Sequence, residues 1–261
     1  MSQTSLGTAV VTGASTGIGA VYADRLAHRG YDLLLVARGQ SRLEANAGKI
    51  RTATGRKVEV LVADLADPAK VTALSDRIES DAGITMLVNN AGVSLGGTVL
   101  DTPRSKVENL LAVNIVAPTL LATAAAKAFS ARKAGTIINI GSVLALAPEM
   151  FDGVYSGSKA HLLNLTENMA QLLKDFGVRV QAVLPGATRT EIWNGRDVDA
   201  MLPGKVMEAD ELVDAALAGL DQGEIITIPP LADASLFTTY HAARQAMGPF
   251  LSQRHAAPRY R

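Results

Sequence analysis

The chain has 261 residues, 48% of them hydrophobic, with 25 Lys+Arg against 25 Asp+Glu and a formal net charge of +0. Such a balance lacks the basic surplus with which a nucleic-acid binder meets phosphates, and the absence of cysteine removes disulfides, thiol catalysis and thiolate metal sites. That usage fits a cytoplasmic protein. With no unbroken apolar run of membrane-spanning length and no basic-then-apolar leader, a soluble chain without a membrane role is expected.

Short β-branched or leucine-rich runs predict strands at 8–12, 32–36, 58–62, 86–89, 136–140, 179–184 and 224–228. Helical patterns fill the intervals at 17–29, 41–54, 68–80, 104–129, 154–176 and 208–220. Continuously apolar strands suit a parallel sheet covered on both faces, and strict alternation of strand and helix gives a doubly wound fold. No linker, repeat or composition break divides the chain. It reads as α/β, a single Rossmann-type domain over 1–261 with about seven parallel strands and helices on both faces. The segment 191–205, with Trp193, two glycines and Pro203, breaks the alternation directly after the sixth strand. That is where a lid over a ligand crevice would sit. A helical stretch after Pro230 leads to a polar tail, 254–261, expected to face solvent or another subunit.

The turn after the first strand is Thr12-Gly13-Ala14-Ser15-Thr16-Gly17-Ile18-Gly19, and it opens a helix. Gly13 permits the tight turn, Gly17 lets a phosphate approach the backbone, and Gly19 lets the helix pack on the strand. The helix N-terminus then offers N–H groups to a pyrophosphate. Where an NAD site usually places an acidic side chain, after the second strand, this chain has Val36-Ala37-Arg38. A guanidinium there can fork onto a 2′-phosphate, Ser15 can add a hydroxyl, and the cofactor expected is NADP(H).

Tyr155 and Lys159 stand four residues apart in Tyr-Ser-Gly-Ser-Lys, one helical turn, so an ammonium is placed beside a phenol. A cation at roughly 4–6 Å would lower the phenol from its usual value of about 10. Asn114 lies in a long helical pattern four residues before Pro118. Proline has no N–H for the residue 114 carbonyl, so a kink and a freed carbonyl are expected there.

With these residues in view, the chain resembles the short-chain dehydrogenase/reductase family over nearly its whole length. The Gly13–Gly19 turn resembles the family's cofactor turn. Asp64-Leu65 is similar to its adenine clamp, Asn89-Asn90-Ala91-Gly92 to its fourth-strand motif, and Pro185-Gly186 with Thr188 and Thr190 to its nicotinamide-side loop. Asn114, Ser142, Tyr155 and Lys159 match its catalytic four in order; Gly157 stands where the family often has alanine. The resemblance implies that Tyr155 exchanges a proton with a carbonyl or alcohol oxygen and that Ser142 hydrogen-bonds that oxygen. It also implies that Lys159 holds the nicotinamide ribose and primes the tyrosine, and that Asn114 helps hold a water leading from the lysine to solvent. No metal is implied.

The expected activity is NADP(H)-dependent interconversion of a carbonyl and an alcohol, with a small-molecule partner. Alternatives are an inactive NADP(H) sensor, or the same site used for C=C reduction or epimerisation. Ser94, Leu95, Val143, Leu144, Met150, Trp193 and Met201 are candidate substrate walls. They are mostly apolar with no evident arginine clamp, which points to a hydrophobic ketone, aldehyde or secondary alcohol. His161, six residues past Tyr155, faces away from the phenol and reads as a surface or interface residue. Leu162, Leu165, Met169, Leu172 and Phe176 form a helical stripe, part of which must cover the sheet while any excess could bury against a second subunit; the resemblance implies pairing through the corresponding helices, so a homodimer or homotetramer is expected.

Overall fold

The computed structural model describes residues 5–97, 100–193 and 195–261. By its contacts the chain divides into two compact units, Met1–Pro229 and Pro230–Arg261, where the sequence alone suggested one domain over 1–261. The first unit alternates β1 (Thr8–Thr12), α1 (Gly17–His28), β2 (Asp32–Ala37), α2 (Gln40–Thr54), β3 (Val58–Val62), α3 (Pro68–Ser80) and β4 (Ile84–Asn89). It continues through α4 (Arg104–Leu111), a π-helical segment Ala112–Val116, α5 (Ala117–Arg132), β5 (Gly135–Ile140) and α6 (Gly153–Leu173). Next come β6 (Val178–Val183), the short helix α7 (Val198–Met201), α8 (Ala209–Asp221) and β7 (Ile226–Thr227). The seven strands run parallel in the order β3-β2-β1-β4-β5-β6-β7. The doubly wound expectation is met.

Because successive side chains of a strand point to opposite faces, the sheet sorts its apolar residues into two cores. Ala9, Val11, Leu33, Leu35 and Val88 pack with Tyr22, Leu26, Leu43, Leu212 and Leu217 of α1, α2 and α8. Val10, Leu34, Val36, Leu87 and Ile137 pack with Leu74, Ile78, Leu121, Phe129 and Met169 of α3, α5 and α6. Each such leucine or isoleucine contributes about 1.5–3 kcal/mol relative to exposure. The β1–β2–β3 half and the β4–β7 half are wound in opposite directions, so a crevice opens beyond the carboxyl ends of β1 and β4.

The helix expected at 104–129 is not continuous. It passes from α4 into the π segment and out again at Ala117, one residue before Pro118. A missing N–H within the ladder is a physical reason for the wider register. By length and composition the stretch Arg104–Arg132 could also cross a bilayer, but half of its most apolar 18 residues are buried. Leu121, Ala122, Ala125 and Phe129 are core residues, which makes it an internal helix of this fold.

The second unit carries α9 (Ala234–Ala246), capped by the Asp233 side chain accepting from the Ser235 N–H at 2.9 Å. Two single turns follow, Gly248–Phe250 and Pro258–Tyr260, and residues 254–261 are exposed apart from half-buried Ala257.

Candidate active site

The crevice is a cleft of about 1280 Å³ whose walls come from the loops that follow β1, β2, β3, β4, β5 and β6. Its first wall is the β1–α1 turn. Gly13 holds φ +67, and a Cβ there would sit 2.8 Å from the Asn90 Nδ2. A Cβ on Gly19 would overlap the Gly13 carbonyl and the same Asn90 amide, so only glycine lets α1 approach this closely. The turn is stitched to β4: Asn90 Nδ2 donates to the Thr12 carbonyl at 2.8 Å, and Thr12 Oγ1 accepts from the Asn90 and Ala91 N–H groups at 2.9 and 3.0 Å. Thr16, at the N-cap of α1, makes no side-chain capping bond, and the first turn carries no acidic residue. Its N–H groups are therefore presented to an anion.

Arg38 is exposed on the wall beyond β2 and makes no ion pair among the described residues. Asp64 and Leu65 line the floor after β3; the Asp64 carboxylate accepts from the Ala66 N–H at 3.0 Å, so it also shapes its own turn. Ser15, Gly17, Ile18, Ala91, Gly92, Pro185, Gly186, Thr188 and Thr190 line the same cleft. Gly19 and Asn114 do not. Gly19 serves helix packing, and Asn114 stands behind the wall.

Ser142, Tyr155 and Lys159 meet at the inner end of the cleft, each under 9% exposed. Ser142 follows β5 in extended conformation, and its Oγ accepts from the Leu144 N–H at 3.2 Å. Tyr155 and Lys159 lie on α6, whose start is fixed by Asp152 accepting from the Val154 N–H at 2.9 Å. Lys159 Nζ donates to the Ile140 carbonyl at 2.9 Å and lies 5.6 Å from the centre of the Tyr155 ring. An ammonium has three donors, so two remain for a ligand. Asn114, in the π segment, brackets Val93: its Oδ1 accepts from the Val93 N–H and its Nδ2 donates to the Val93 carbonyl, both at 2.9 Å. The same amide donates to Ser158 Oγ at 3.2 Å. The side chain, more than the freed carbonyl, is what ties this residue to the site.

Electrostatics correct one expectation. Burial pushes the Tyr155 phenol up to about 12, opposed by a hydrogen bond from Ser142, and burial pulls Lys159 down to about 8. Four-residue spacing supplies the neighbour, yet burial sets the direction of both shifts, and Ser142 is what opposes it at the phenol. The phenol thus holds its proton at neutral pH, while the lysine exchanges one close to it.

The segment 191–205 overhangs the cleft through Glu191, Ile192, Trp193, Arg196, Met201, Leu202 and Lys205; residue 194 lies outside the described residues. It is fastened rather than loose. Arg189 pairs with Asp199 of α7 and with Glu208 at 2.6 Å, and Trp193 Nε1 donates to the Thr188 carbonyl at 2.8 Å. Arg42 of α2 reaches across to Glu191 at 2.5 Å. All seven candidate substrate walls face the cleft. Sequence reasoning missed the basic side chains beside them, Lys106, Arg196 and Lys205, which no spacing pattern connects. It also missed Val93, Ser158 and the Ile140 carbonyl; only Ser158 carries a signal, three residues after Tyr155.

The family model for the short chain dehydrogenases matches residues 7–200. The chain belongs to that family. A very-long-chain 3-oxoacyl-CoA reductase of Podospora anserina is 32% identical over 222 residues, 83% of this chain; the match spans 64% of that longer relative. A 2-(R)-hydroxypropyl-CoM dehydrogenase of Xanthobacter autotrophicus is 33% identical over 88% of this chain and 89% of its own. Among solved structures, a short-chain dehydrogenase of Sphingobium yanoikuyae in complex with NADPH superposes with TM-score 0.94, at 46% identity, over 98% of this chain and 100% of its own. The bulky-bulky ketone specific alcohol dehydrogenase of Comamonas testosteroni gives 0.91 at 40% identity, over 98% and 99%.

Proposed function

We propose that this short-chain dehydrogenase is an NADP(H)-dependent oxidoreductase that interconverts a ketone or aldehyde with its alcohol. The observation that carries the reading is the convergence of Tyr155, Ser142 and Lys159 at the inner end of a cleft lined by an uncapped helix N-terminus and Arg38. The residues fit the cofactor. The Gly13–Gly19 turn and α1 would receive the pyrophosphate, Arg38 with Ser15 the 2′-phosphate, and Lys159 the nicotinamide ribose. The NADPH bound to the Sphingobium relative is consistent with this assignment. When bound, NADPH supplies the hydride.

The remaining chemistry belongs to the chain. As hydride reaches the carbonyl carbon, negative charge develops on its oxygen. Ser142 Oγ donates to that oxygen, and Tyr155 gives it the phenolic proton. A phenol at about 12 is fully protonated beforehand, which suits reduction. Lys159, near 8, can return the proton to Tyr155 close to neutral pH, and Asn114, which holds the Val93 N–H, would help hold a water leading from the lysine to solvent. The apolar wall of Leu95, Val143, Leu144, Met150, Trp193 and Met201 suits a bulky, largely apolar substrate. The segment 191–205 acts as its lid. Leu111, Val116, Leu120, Leu172 and Phe176 stay 39–62% exposed, while Leu162 and Met169 of the same α6 stripe are buried. That exposed remainder supports a homodimer or homotetramer, which light scattering would report as a particle heavier than 27.3 kDa.

Following loss of the reduced-nicotinamide absorbance with a panel of aryl and alkyl ketones tests the reading. Turnover with NADPH, faster than with NADH, is the expected result. Tight NADPH binding with no oxidation by any carbonyl would instead make the protein a sensor.

A further inference from the structure

The cleft is charged unlike the chain that forms it. Although the whole sequence has a formal net charge of +0, the cleft is lined by six basic side chains and two carboxylates, Asp64 and Glu191. Arg38 and Arg42 stand at the β2 end, and Lys159 belongs to the catalytic group. The other three, Lys106, Arg196 and Lys205, have no carboxylate partner among the described residues.

None of these three is among the residues that would receive the cofactor. Arg196 and Lys205 follow β6, which stands four strand positions from β2 in the sheet. Lys106 enters from the first turn of α4, the helix that follows β4. Arg196 spans the mouth: its Nη2 comes within 3.6 Å of where a Gly96 Cβ would lie, and its Nε donates to the Trp193 carbonyl at 3.2 Å. A basic group is thus held from the lid against the loop after β4. It shares the cleft with the apolar wall and Tyr155.

We infer that the substrate is a carbonyl compound whose apolar body ends in an anionic group, and that Arg196 and Lys205, with Lys106, receive that group. The inference rests on the carbonyl–alcohol reading of the same site and narrows its substrate class. It also replaces the expectation that the cleft offers nothing to a carboxylate or phosphate. A charge at the far end would orient the body along the wall and present the carbonyl to Tyr155 and Ser142, while the surplus of basic groups raises the local concentration of anions.

The test uses an aryl ketone carrying a carboxylate at its far ring position, and its methyl ester. With NADPH, kcat/KM for the acid is expected to exceed that for the ester by about tenfold at low salt, the scale of two or three partly exposed ion pairs. The ratio should shrink as sodium chloride is added. In the double variant Arg196→Gln, Lys205→Gln it should fall to near one, whereas Arg196→Lys, Lys205→Arg should retain most of it. Trp193 is the single tryptophan and lines the cleft, so its fluorescence reports binding of either probe to the NADP-saturated protein without turnover. If neither ketone is reduced, the oxidoreductase reading fails, and the fluorescence ratio still decides the subsite. Equal or weaker binding and turnover of the acid in the unmodified protein, or a ratio indifferent to salt and to the double variant, would overturn the inference.

Discussion

The two ends of the cleft are built from different materials. At the β1 end the wall is backbone: Gly13 and Gly19 allow contacts that a Cβ would block, and Asn90 and Thr12 stitch the turn to β4 with four hydrogen bonds of 2.8–3.3 Å. At the β6 end the wall is side chains on a fastened segment, joined by exposed ion pairs such as Arg189–Asp199 and Arg42–Glu191. Backbone geometry leaves a mark in sequence, because only one residue type fits; ion pairs across 149 residues leave none. The backbone end suits a cofactor common to a family, and the side-chain end suits a substrate particular to one member.

If that contrast is right, the largest effects come from the buried catalytic group between the two ends. Lys159 is lowered from 10.5 to about 8, so between those values the unfolded chain binds more protons than the folded one. Stability therefore rises with pH across that window, by at most about 3 kcal/mol. Thermal melts of Lys159→Met against the unmodified protein should lose this slope; an identical pH dependence would place the lysine in a solvated setting.

Arg38→Asp comes next. Replacing a phosphate-binding guanidinium with a carboxylate should weaken NADPH by about a hundredfold and leave NADH nearly unchanged. Equal weakening of both cofactors would mean that Arg38 holds something other than the 2′-phosphate. Asn114→Ala should lower kcat by roughly tenfold with the NADPH dissociation constant unchanged, the loss expected of one hydrogen-bonding side chain. Unaltered kcat would reduce Asn114 to a brace for Val93. Smallest is Glu191→Gln, which frees Arg42 at the cleft mouth. Since the pair is exposed, NADPH should tighten by only about two- to threefold, with NADH unaffected. Weaker NADPH would instead show that the pair holds the lid in its binding position.

Much of this site could be read before the fold was known. The strand-then-glycine turn, Arg38, and the order of Asn114, Ser142, Tyr155 and Lys159 each reflect a local demand on residue type, and the alternation of strand and helix gave the doubly wound class. Three things were not legible. The direction of the Tyr155 shift depends on burial, which a four-residue spacing does not encode. The π segment is a choice among ladders that Pro118 leaves open. Lys106 and Lys205 stand 99 residues apart (205 less 106) and become neighbours of one cleft only through the crossovers of the fold.

The claim at the centre is that the Tyr155 hydroxyl delivers the proton as hydride reaches the carbonyl. Single-turnover mixing of NADPH-loaded Tyr155→Phe with a ketone reads this directly, with circular dichroism and NADPH titration verifying an intact fold and cofactor site. The account predicts that NADPH oxidation slows by about a thousandfold or more while NADPH binding persists. Oxidation at the unmodified rate in that variant would contradict it.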